Sequence, residues 1–335
     1  MRIVVDAMGG DNAPQVNIEG AVACIREYTS LGIDEIILVG PENLLKEKMS
    51  GYSLKKLPFS IVDAQEVIAS DESPTAAVKN KRDSSIVVAV NLVRDGRADA
   101  ILSAGHTGAV MTAALIGLGK LGGNYRPAIA TLIPNLKGSS VLIDVGANVE
   151  SKPRHLYQFA IMGNVYACHI LGIENPRVGI LSIGHERSKG NELTFESHRL
   201  LEEAPLNFVG NVEGRDITNG NVDVVVCDGF IGNILLKFGE SLAEMILKEL
   251  REEFSRGWWL RLGGLISRPA FRNFKKRVDY SEYGGAPLLG VNGTVIICHG
   301  SSSARAIKNG IRAAAELVRH QVNKHIEESL LETKI

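Results

Sequence analysis

Short apolar runs that end in glycine-bearing polar loops recur along this 335-residue chain, and a helical pattern follows most of them. The run at 3–5 meets the loop 6–11, and comparable loops lie at 103–108, 144–148 and 228–233. A strand that feeds a helix through a short loop is the repeating unit of a parallel sheet. The pattern therefore predicts an α/β protein whose mostly parallel sheet has helices on both faces.

Hydrophobic periodicity and turn residues place the elements. We predict strands at 3–5, 35–39, 60–62, 99–102, 142–144, 178–181, 208–209 and 222–227. We predict helices at 15–28, 84–94, 153–171, 192–203 and 231–254, and a long helical tail from 303 to 332. With no internal repeat and no linker-like stretch, residues 1–335 are expected to form a single α/β domain, with two lobes as the alternative.

The charge balance, the cysteines and two sequence segments argue against several classes of protein. The 37 Lys and Arg residues against 38 Asp and Glu give a net charge of −1, which argues against a nucleic-acid partner. The four cysteines lie far apart without a Cys-x-x-Cys pair, as in a reduced cytoplasmic protein without a zinc ribbon. The N-terminus predicts a strand and not a signal peptide. The uncharged stretch 100–119 contains four glycines, so it predicts a strand, a loop and a buried helix instead of a membrane span.

The glycine loops suit an anion. A loop between a strand and a helix exposes backbone N–H groups, and ligands of open α/β sheets bind beyond the carboxyl ends of strands. Four such loops with embedded Ser, Thr, Asp or Asn favour a phosphate-bearing ligand. Neither Gly-x-Gly-x-x-Gly after the first strand nor Gly-x-x-x-x-Gly-Lys-Ser/Thr occurs, which disfavours standard nicotinamide and ATP sites. Metal-ligand spacing and the Gly-x-Ser-x-Gly motif of serine hydrolases are also missing.

Single residues in these loops have two interpretations each. Lys189 follows the strand ending near 183 and can bind phosphate or a developing oxyanion, or be an ordinary solvated lysine. Asp228 and Asn233 flank a glycine turn, for which turn chemistry is the alternative. Asn191 can cap the following helix.

Several loops taken together, in order, resemble one family. The motifs are Asp6-Ala7-Met8-Gly9-Gly10-Asp11, the 103–108 loop, Asp144-Val145-Gly146-Ala147-Asn148, Lys189-Gly190-Asn191-Glu192, 224–233, 283–286 and His299-Gly300-Ser301-Ser302. Over residues 1–320 the chain resembles the bacterial acyl-acyl-carrier-protein:phosphate acyltransferases, the PlsX family. His106 stands where this family is expected to have asparagine.

The resemblance implies transfer of a fatty acyl group from acyl-carrier protein to inorganic phosphate, giving an acyl phosphate for phospholipid synthesis. It also implies a fold like isopropylmalate dehydrogenase and phosphate acetyltransferase, a homodimer, and no cofactor or metal. The catalytic residues expected on this basis are Lys189, Asn233 and Asp228. The expected substrate- and phosphate-binding residues are Asp6, Gly9, Gly10, Ser103, Gly105, His106, Thr107, Gly108, Asn148, Asn191, His299 and Ser301.

Four alternatives remain at this point. Cys227 or Cys298 could carry a covalent acyl group, since each lies beside a predicted site loop. The enzyme could use short-chain acyl-CoA, or it could be a metal- and nicotinamide-dependent β-decarboxylating dehydrogenase. A peripheral membrane scaffold is the non-enzymatic alternative.

The segment 254–278 is basic and amphipathic. It contains seven basic residues, no acidic residue and both tryptophans of the chain. We predict a protruding helix that Pro269 ends, with an apolar side that docks reversibly on the anionic inner face of the cell membrane. The alternatives are a core or dimer-interface helix, or a docking site for the acidic carrier protein. The residues expected to dock are Trp258, Trp259, Arg261, Leu262 and Leu265.

Overall fold

A computed structural model describes residues 1–52, 58–278, 282 and 284–333, with 275–278 described by backbone alone. The strands are β1 (Arg2–Asp6), β2 (Glu35–Val39), β3 (Phe59–Val62), β4 (Ala100–Ser103), β5 (Ala128–Asn135), β6 (Gly138–Ile143), β7 (Arg177–Leu181), β8 (Asn207–Val212), β9 (Val224–Val226), β10 (Ala286–Leu289) and β11 (Thr294–Ile297). The helices are α1 (Gln15–Glu27), α2 (Glu42–Met49), α3 (Pro74–Asn80), α4 (Ser85–Arg94), α5 (Thr107–Gly117), α6 (Pro153–Leu171), α7 (Glu192–Glu202), α8 (Gly214–Asn219), α9 (Gly229–Ser255), α10 (Trp258–Val278), α11 (Ala304–Arg319) and α12 (Val322–Glu332).

The strands form one sheet in the order β3-β2-β1-β4-β11-β10-β5-β6-β9-β7-β8. From β3 to β11 all neighbours are parallel, and from β6 to β8 all neighbours are parallel again. Between them, β10 and β5 make three antiparallel pairings. The prediction of a mostly parallel sheet is confirmed, but β6, β9, β7 and β8 run opposite to β1, β2, β3, β4 and β11.

Alternate residues of the strands build two separate cores. On β1, Ile3 and Val5 belong to a core that also contains buried residues of α1, α6, α11 and α12. Val4 points to the other face, where it joins buried residues of α4 and α5. Successive strand side chains point to opposite faces, so each core lies on its own face of the sheet. Helices pack against both cores, and the prediction of helices on both faces is confirmed.

Two helix boundaries differ from the sequence prediction. The tail is two helices instead of one, because Gln321 adopts a left-handed conformation (φ +50°) between α11 and α12. Pro269 lies inside α10 and does not end it. The helical carbonyl that Pro269 leaves without a donor belongs to Leu265, which is 66% exposed, so water can replace the lost hydrogen bond.

The second half of α9 and all of α10 form an exposed helical hairpin. In α9 only Gly229 and Gly232 are buried, and none of the described side chains of α10 is buried. The hairpin is therefore longer than the predicted protrusion at 254–278. No helix in the described parts of the chain is both long and apolar enough to cross a membrane.

Candidate active site

Three loops meet at the carboxyl ends of β1, β4 and β11, and we call them the first loop cluster (6–11, 103–108 and 299–301). The Ser103 hydroxyl donates to the Asp6 carboxylate at 2.6 Å and accepts from Gly105 N–H at 3.0 Å. A Cβ on Gly9 would lie 2.5 Å from Gly105 N, so the first two loops touch through backbone. Asp11 N–H donates to the Gly300 carbonyl at 2.8 Å and joins the third loop.

Asp6 holds this cluster together from beneath. Its side chain is fully buried and also accepts from Met8 N–H at 3.1 Å. Burial raises the pKa of Asp6, and these hydrogen bonds oppose the rise. Asp6, which the sequence analysis assigned to substrate binding, has no exposed surface for a ligand and instead accepts hydrogen bonds from two loops.

His106 occupies the cap position before α5. It caps α5, and its Nδ1 accepts from Gly108 N–H at 3.1 Å, where an asparagine oxygen would accept the same bond. Thr107 follows as an exposed residue at the first helical position. In the third loop His299 and Ser301 are exposed, and Ser301 N–H donates to His299 Nδ1 at 3.2 Å.

A second loop cluster (144–148 and 228–233) lies at the carboxyl ends of β6 and β9. The buried Asp144 carboxylate accepts from the backbone N–H groups of Ile129, Gly146, Ala147 and Asn148 at 2.7–3.2 Å. Burial raises the pKa of Asp144, as it does for Asp6. The sequence list of site residues missed Asp144. Its signal was the position it shares with Asp6, an acid directly after a strand and before a glycine loop.

The other polar residues of the second loop cluster differ in whether their side chains are free to bind a ligand. Both amide hydrogens of Asn148 are used, by the Pro127 carbonyl at 2.8 Å and by Asp144 at 2.9 Å. Asn148 is therefore not a free donor, contrary to prediction. Asp228 caps α9 by accepting from the N–H groups of Phe230 and Ile231, both at 3.0 Å.

Asn233 is the accessible amide of this cluster. It is half-buried beside Gly146, on which an added Cβ would lie 3.6 Å from Asn233 Cγ. Within the described part of the chain its side chain makes no hydrogen bond. It can therefore donate to a ligand at the start of α9.

Lys189 lies on a loop (184–191) that follows β7. The Ser182 hydroxyl and the Asn211 amide both donate to the Lys189 carbonyl, at 3.0 and 3.1 Å, which fixes the backbone. The side chain is exposed and has no ion pair or hydrogen bond among the described residues. Asn191 accepts from Thr194 N–H at 2.9 Å and caps α7. Because β7 and β9 are neighbours, this loop emerges beside the second loop cluster.

One chain does not bring all the predicted site residues together. Three strands separate β4 from β6, which places the two strands about 19 Å apart across the sheet at a strand spacing of about 4.8 Å. The two clusters also lie at opposite edges, because the second set of strands is reversed. The reversal comes from the three antiparallel pairings of β10 and β5, and β5 was not among the predicted strands.

A group of basic residues near the second loop cluster also escaped sequence reasoning. Burial, followed by the charges of Arg126, Arg154 and Lys152, holds the pKa of His155 below its ordinary value. Arg126 precedes Pro127, the residue that Asn148 contacts. These cations make the surroundings of the cluster attractive to an anionic substrate. No group of three or more metal-binding side chains occurs in the described ranges.

The cysteines considered as acyl carriers are buried. Burial raises the pKa of Cys298 to about 12 and raises that of Cys227 well above its ordinary value. Their thiols donate to the carbonyls of Gly284 and Asp144 at 3.1 and 3.5 Å. A neutral buried thiol is a poor nucleophile, so the geometry disfavours a covalent acyl-cysteine.

We therefore expect Cys227→Ala and Cys298→Ala to retain at least about half of the wild-type turnover per folded molecule, because neither thiol reacts. Native protein should also resist alkylation by iodoacetamide at pH 8 at both positions, whereas partly exposed Cys168 should be modified. Peptide mass spectrometry and steady-state rates measure both effects. Loss of turnover in folded Cys227→Ala, with rapid alkylation of Cys227, would restore the covalent route.

Comparison with solved structures identifies the fold. A phosphotransacetylase from Streptococcus pyogenes superposes with a TM-score of 0.63 at 18% identity, covering 95% of this chain and 94% of that one. A branched-chain phosphotransacylase from Enterococcus faecalis V583 gives a TM-score of 0.60 at 15% identity, covering 95% and 99%. The protein is thus of the phosphotransacetylase-like α/β class.

Sequence comparison identifies the family. A family model described as "Fatty acid synthesis protein" matches residues 1–325. The phosphate acyltransferase of Pelotomaculum thermopropionicum is 53% identical over 330 residues, which cover 98% of this chain and 95% of the relative. That of Geobacter sulfurreducens is 52% identical over 330 residues, covering 98% and 94%. The chain belongs to this family, the PlsX phosphate acyltransferases, and is an acyltransferase.

Proposed function

We propose that the enzyme transfers a long-chain acyl group from acyl-carrier protein to inorganic phosphate and so supplies acyl phosphate for phospholipid synthesis. Family membership supports phosphate as the acceptor. The observation that supports the donor is the exposed hairpin of α9 and α10, which offers apolar and basic surface. Glu240 of α9 lies close enough to His299 of the first loop cluster for the charge of His299 to oppose the rise that burial causes in the pKa of Glu240. An acyl chain fits the apolar part, and an acidic carrier protein fits the basic part.

The reaction needs positioning more than a strong base. Phosphate is largely ionised near pH 7, and one of its oxygens attacks the thioester carbonyl carbon to form a C–O bond. The tetrahedral intermediate collapses as the C–S bond breaks, and a thiolate leaves. The thiolate, whose conjugate thiol has a pKa of about 8.5, takes up the proton that the attacking hydrogen phosphate carried. Preorganised donors that hold phosphate and stabilise the oxyanion supply the acceleration.

The exposed start of α9 supports a homodimer. Phe230, Ile234 and Phe238 are spaced four residues apart on one side of the helix, and they are 56%, 53% and 63% exposed. An apolar stripe of this kind on an exposed helix marks an interaction surface. We propose that two copies pack through this stripe.

A twofold axis near Ile234 would complete the site. Antiparallel packing about Ile234 sets Asp228 of one protomer opposite Glu240 of its partner, since each lies six residues from Ile234. Asp228 begins the second loop cluster, and Glu240 lies near His299 of the first. The dimer therefore unites the second cluster of one protomer with the first cluster of the other.

In this composite site the first loop cluster holds phosphate through the N–H groups of His106, Thr107 and Gly300, because those of Gly105, Gly108 and Ser301 are donated within the loops. Gly9 and Gly10 keep the loops in contact. Lys189 approaches from the other protomer and stabilises the phosphate or the oxyanion as a point charge. Asn233 donates to the oxyanion, and Asp228 positions the start of α9.

We also propose that the cytoplasmic enzyme binds the inner face of the membrane reversibly. Trp258 and Trp259 stack at 3.6 Å and are 65% and 68% exposed. Leu262 and Leu265 extend the same exposed apolar surface, and Arg261 lies beside them. Aromatic and apolar side chains among arginines suit an anionic lipid interface.

Replacing Trp258, Trp259, Leu262 and Leu265 with Ser should abolish co-sedimentation with anionic vesicles while sparing turnover of soluble acyl-carrier protein. Wild-type binding should weaken as salt increases. A control replaces the exposed Ile116, Leu136 and Ile183, which lie outside α9 and α10, and should bind vesicles normally. If the hairpin variant becomes monomeric or unfolds, the surface is an interface, and the membrane proposal fails.

The donor is tested by comparing three reactions in one preparation. We expect phosphate-dependent consumption of long-chain acyl-carrier protein that survives exhaustive chelation and needs no nicotinamide. Faster turnover of short-chain acyl-CoA would favour the short-chain enzyme. Metal-restored oxidation of a hydroxy acid with NAD would favour the dehydrogenase, and no turnover at all would favour a scaffold.

A further inference from the structure

A groove of about 1710 Å³ lies between α9 and α10. Its floor is an apolar stripe formed by Ala243, Leu247, Leu250 and Phe254 of α9 with Phe271 of α10. The rings of Phe254 and Phe271 are in contact, with their centroids 5.1 Å apart. These side chains are only half-buried, although they point at the neighbouring helix. Two helices packed directly against each other would bury such a stripe. The groove is therefore open apolar surface that a ligand can cover.

Basic residues outnumber acidic ones along the groove, which four arginines and Lys248 line together with Glu240 and Glu244. Arg251, Arg268 and Arg272 line it and have no ion pair or hydrogen bond within the described residues. Arg261 also lines it and donates to the Ser255 carbonyl at 3.1 Å. An apolar floor bordered by unpaired guanidinium groups selects a molecule with a long apolar tail and an anionic head, preferably one with several oxygens.

One end of the groove lies towards the first loop cluster. Glu240 lines its inner end, where burial raises the pKa of Glu240 and the charge of nearby His299 opposes that rise. From Glu240 to Phe254 the helix rises about 21 Å. One acyl chain spans half of a bilayer core that is about 30 Å thick, or about 15 Å, so the groove is long enough for such a chain.

We propose that this groove binds the long-chain acyl phosphate itself, with the alkyl chain on the floor and the phosphate held by Arg251, Arg268 and Arg272. The identity of this ligand rests on the proposed function, since acyl phosphate is the product of that reaction. The site lies outside both loop clusters, so it receives the product after the C–S bond has broken. It also keeps the chain out of water beside the enzyme.

Hexadecyl phosphate, which has no acyl bond to hydrolyse, is the probe. Binding to the full-length protein is measured below the micelle concentration by calorimetry and by the fluorescence of Trp258 and Trp259, the only tryptophans of the chain. We expect hexadecyl phosphate to bind at least about 100-fold more tightly than butyl phosphate, because twelve more methylene groups are buried. Hexadecanol, without the anionic head, should bind at least about tenfold more weakly than hexadecyl phosphate.

Two variants test the two parts of the groove. Ala243→Phe places a ring on the floor, and R251Q/R268Q removes two rim charges; each should weaken hexadecyl phosphate binding at least about tenfold. Arg256→Gln is the control, because Arg256 is an exposed arginine near the tip that pairs with Glu253 and does not line the groove. It should bind like the wild type.

Equal affinity for butyl and hexadecyl phosphate, or wild-type affinity in both groove variants, would overturn the proposal. Dissociation of the dimer in Ala243→Phe, seen by sedimentation, would show that a second copy covers the groove and would also overturn it. If the enzyme makes acyl phosphate but binds no hexadecyl phosphate, the groove is not a binding site for the product, and the proposed reaction still stands. If the protein binds hexadecyl phosphate tightly but forms no acyl phosphate, the proposed reaction is refuted. Acyl phosphate then cannot be the ligand of the groove as a reaction product.

Discussion

Replacing Lys189 with Ala is expected to lower acyl phosphate formation about 10²–10³-fold, the scale of losing one oxyanion-stabilising group. The fold should be unchanged, because the side chain is exposed and two hydrogen bonds to its carbonyl hold the loop. Steady-state kinetics with acyl-carrier protein and phosphate measure the effect, and circular dichroism and melting temperature report the fold. We propose that Lys189 contacts the reacting atoms, so kcat should fall along with kcat/KM.

Arg187 provides a matched control in the same loop. It is an exposed cation too, but it is paired with Glu202 at 2.5 Å. Arg187→Ala should keep turnover within about threefold of the wild type, since an exposed ion pair contributes little. If Lys189→Ala is folded and equally active, Lys189 has no place in the mechanism.

Two inactive variants are expected to restore activity when they share a dimer. Thr107→Glu places a carboxylate in the first loop cluster, where it repels phosphate but is tolerated at the start of α5. Lys189→Ala disables the part of the site that the other protomer contributes, which is Lys189 and the second loop cluster. If each site combines the two halves across the dimer, a mixed dimer has one intact site and one doubly altered site. Random re-association should then recover about a quarter of wild-type activity, because half of the dimers are mixed.

The experiment requires each variant to be purified alone, dissociated and re-associated with the other. Thr107→Ser mixed with Lys189→Ala serves as the control for the handling steps. Activity that stays at the level of the separate variants, in dimers shown to be mixed by mass spectrometry, would place both halves of each site in one chain. A monomeric active enzyme would contradict the composite site altogether.

Alternation of apolar runs and helices was enough to predict the sheet, because strands buried on both faces are rich in apolar residues. β5 was not predicted, although its antiparallel pairing helps to place the two loop clusters at opposite edges of the sheet. Its outer half, from Thr131 to Asn135, is only half-buried, and the segment contains Pro134. Such a strand lacks the continuous apolar signal of its neighbours, and the reversal it introduces depends on pairing between distant segments.

Loop motifs identified polar residues of the two loop clusters but not the hydrogen-bond partners of those residues. Asp6, Asp228 and Asn191 are bound to nearby backbone N–H groups, which is the ordinary role of such residues in turns and caps. Asn148 donates to Pro127, a residue of a segment with no predicted element. Whether a polar side chain is free for a ligand depends on such partners, and a local motif does not contain them.

Transfer to phosphate is tested most directly with phosphate that carries ¹⁸O at all four oxygens. Attack by phosphate on the thioester carbonyl keeps every labelled oxygen in the product. Mass spectrometry of the acyl phosphate formed from long-chain acyl-carrier protein should therefore show all four labels, one of them in the bridge to the acyl carbon. Release of unlabelled fatty acid, with no labelled acyl phosphate detected even in the first turnover, would contradict the proposed reaction.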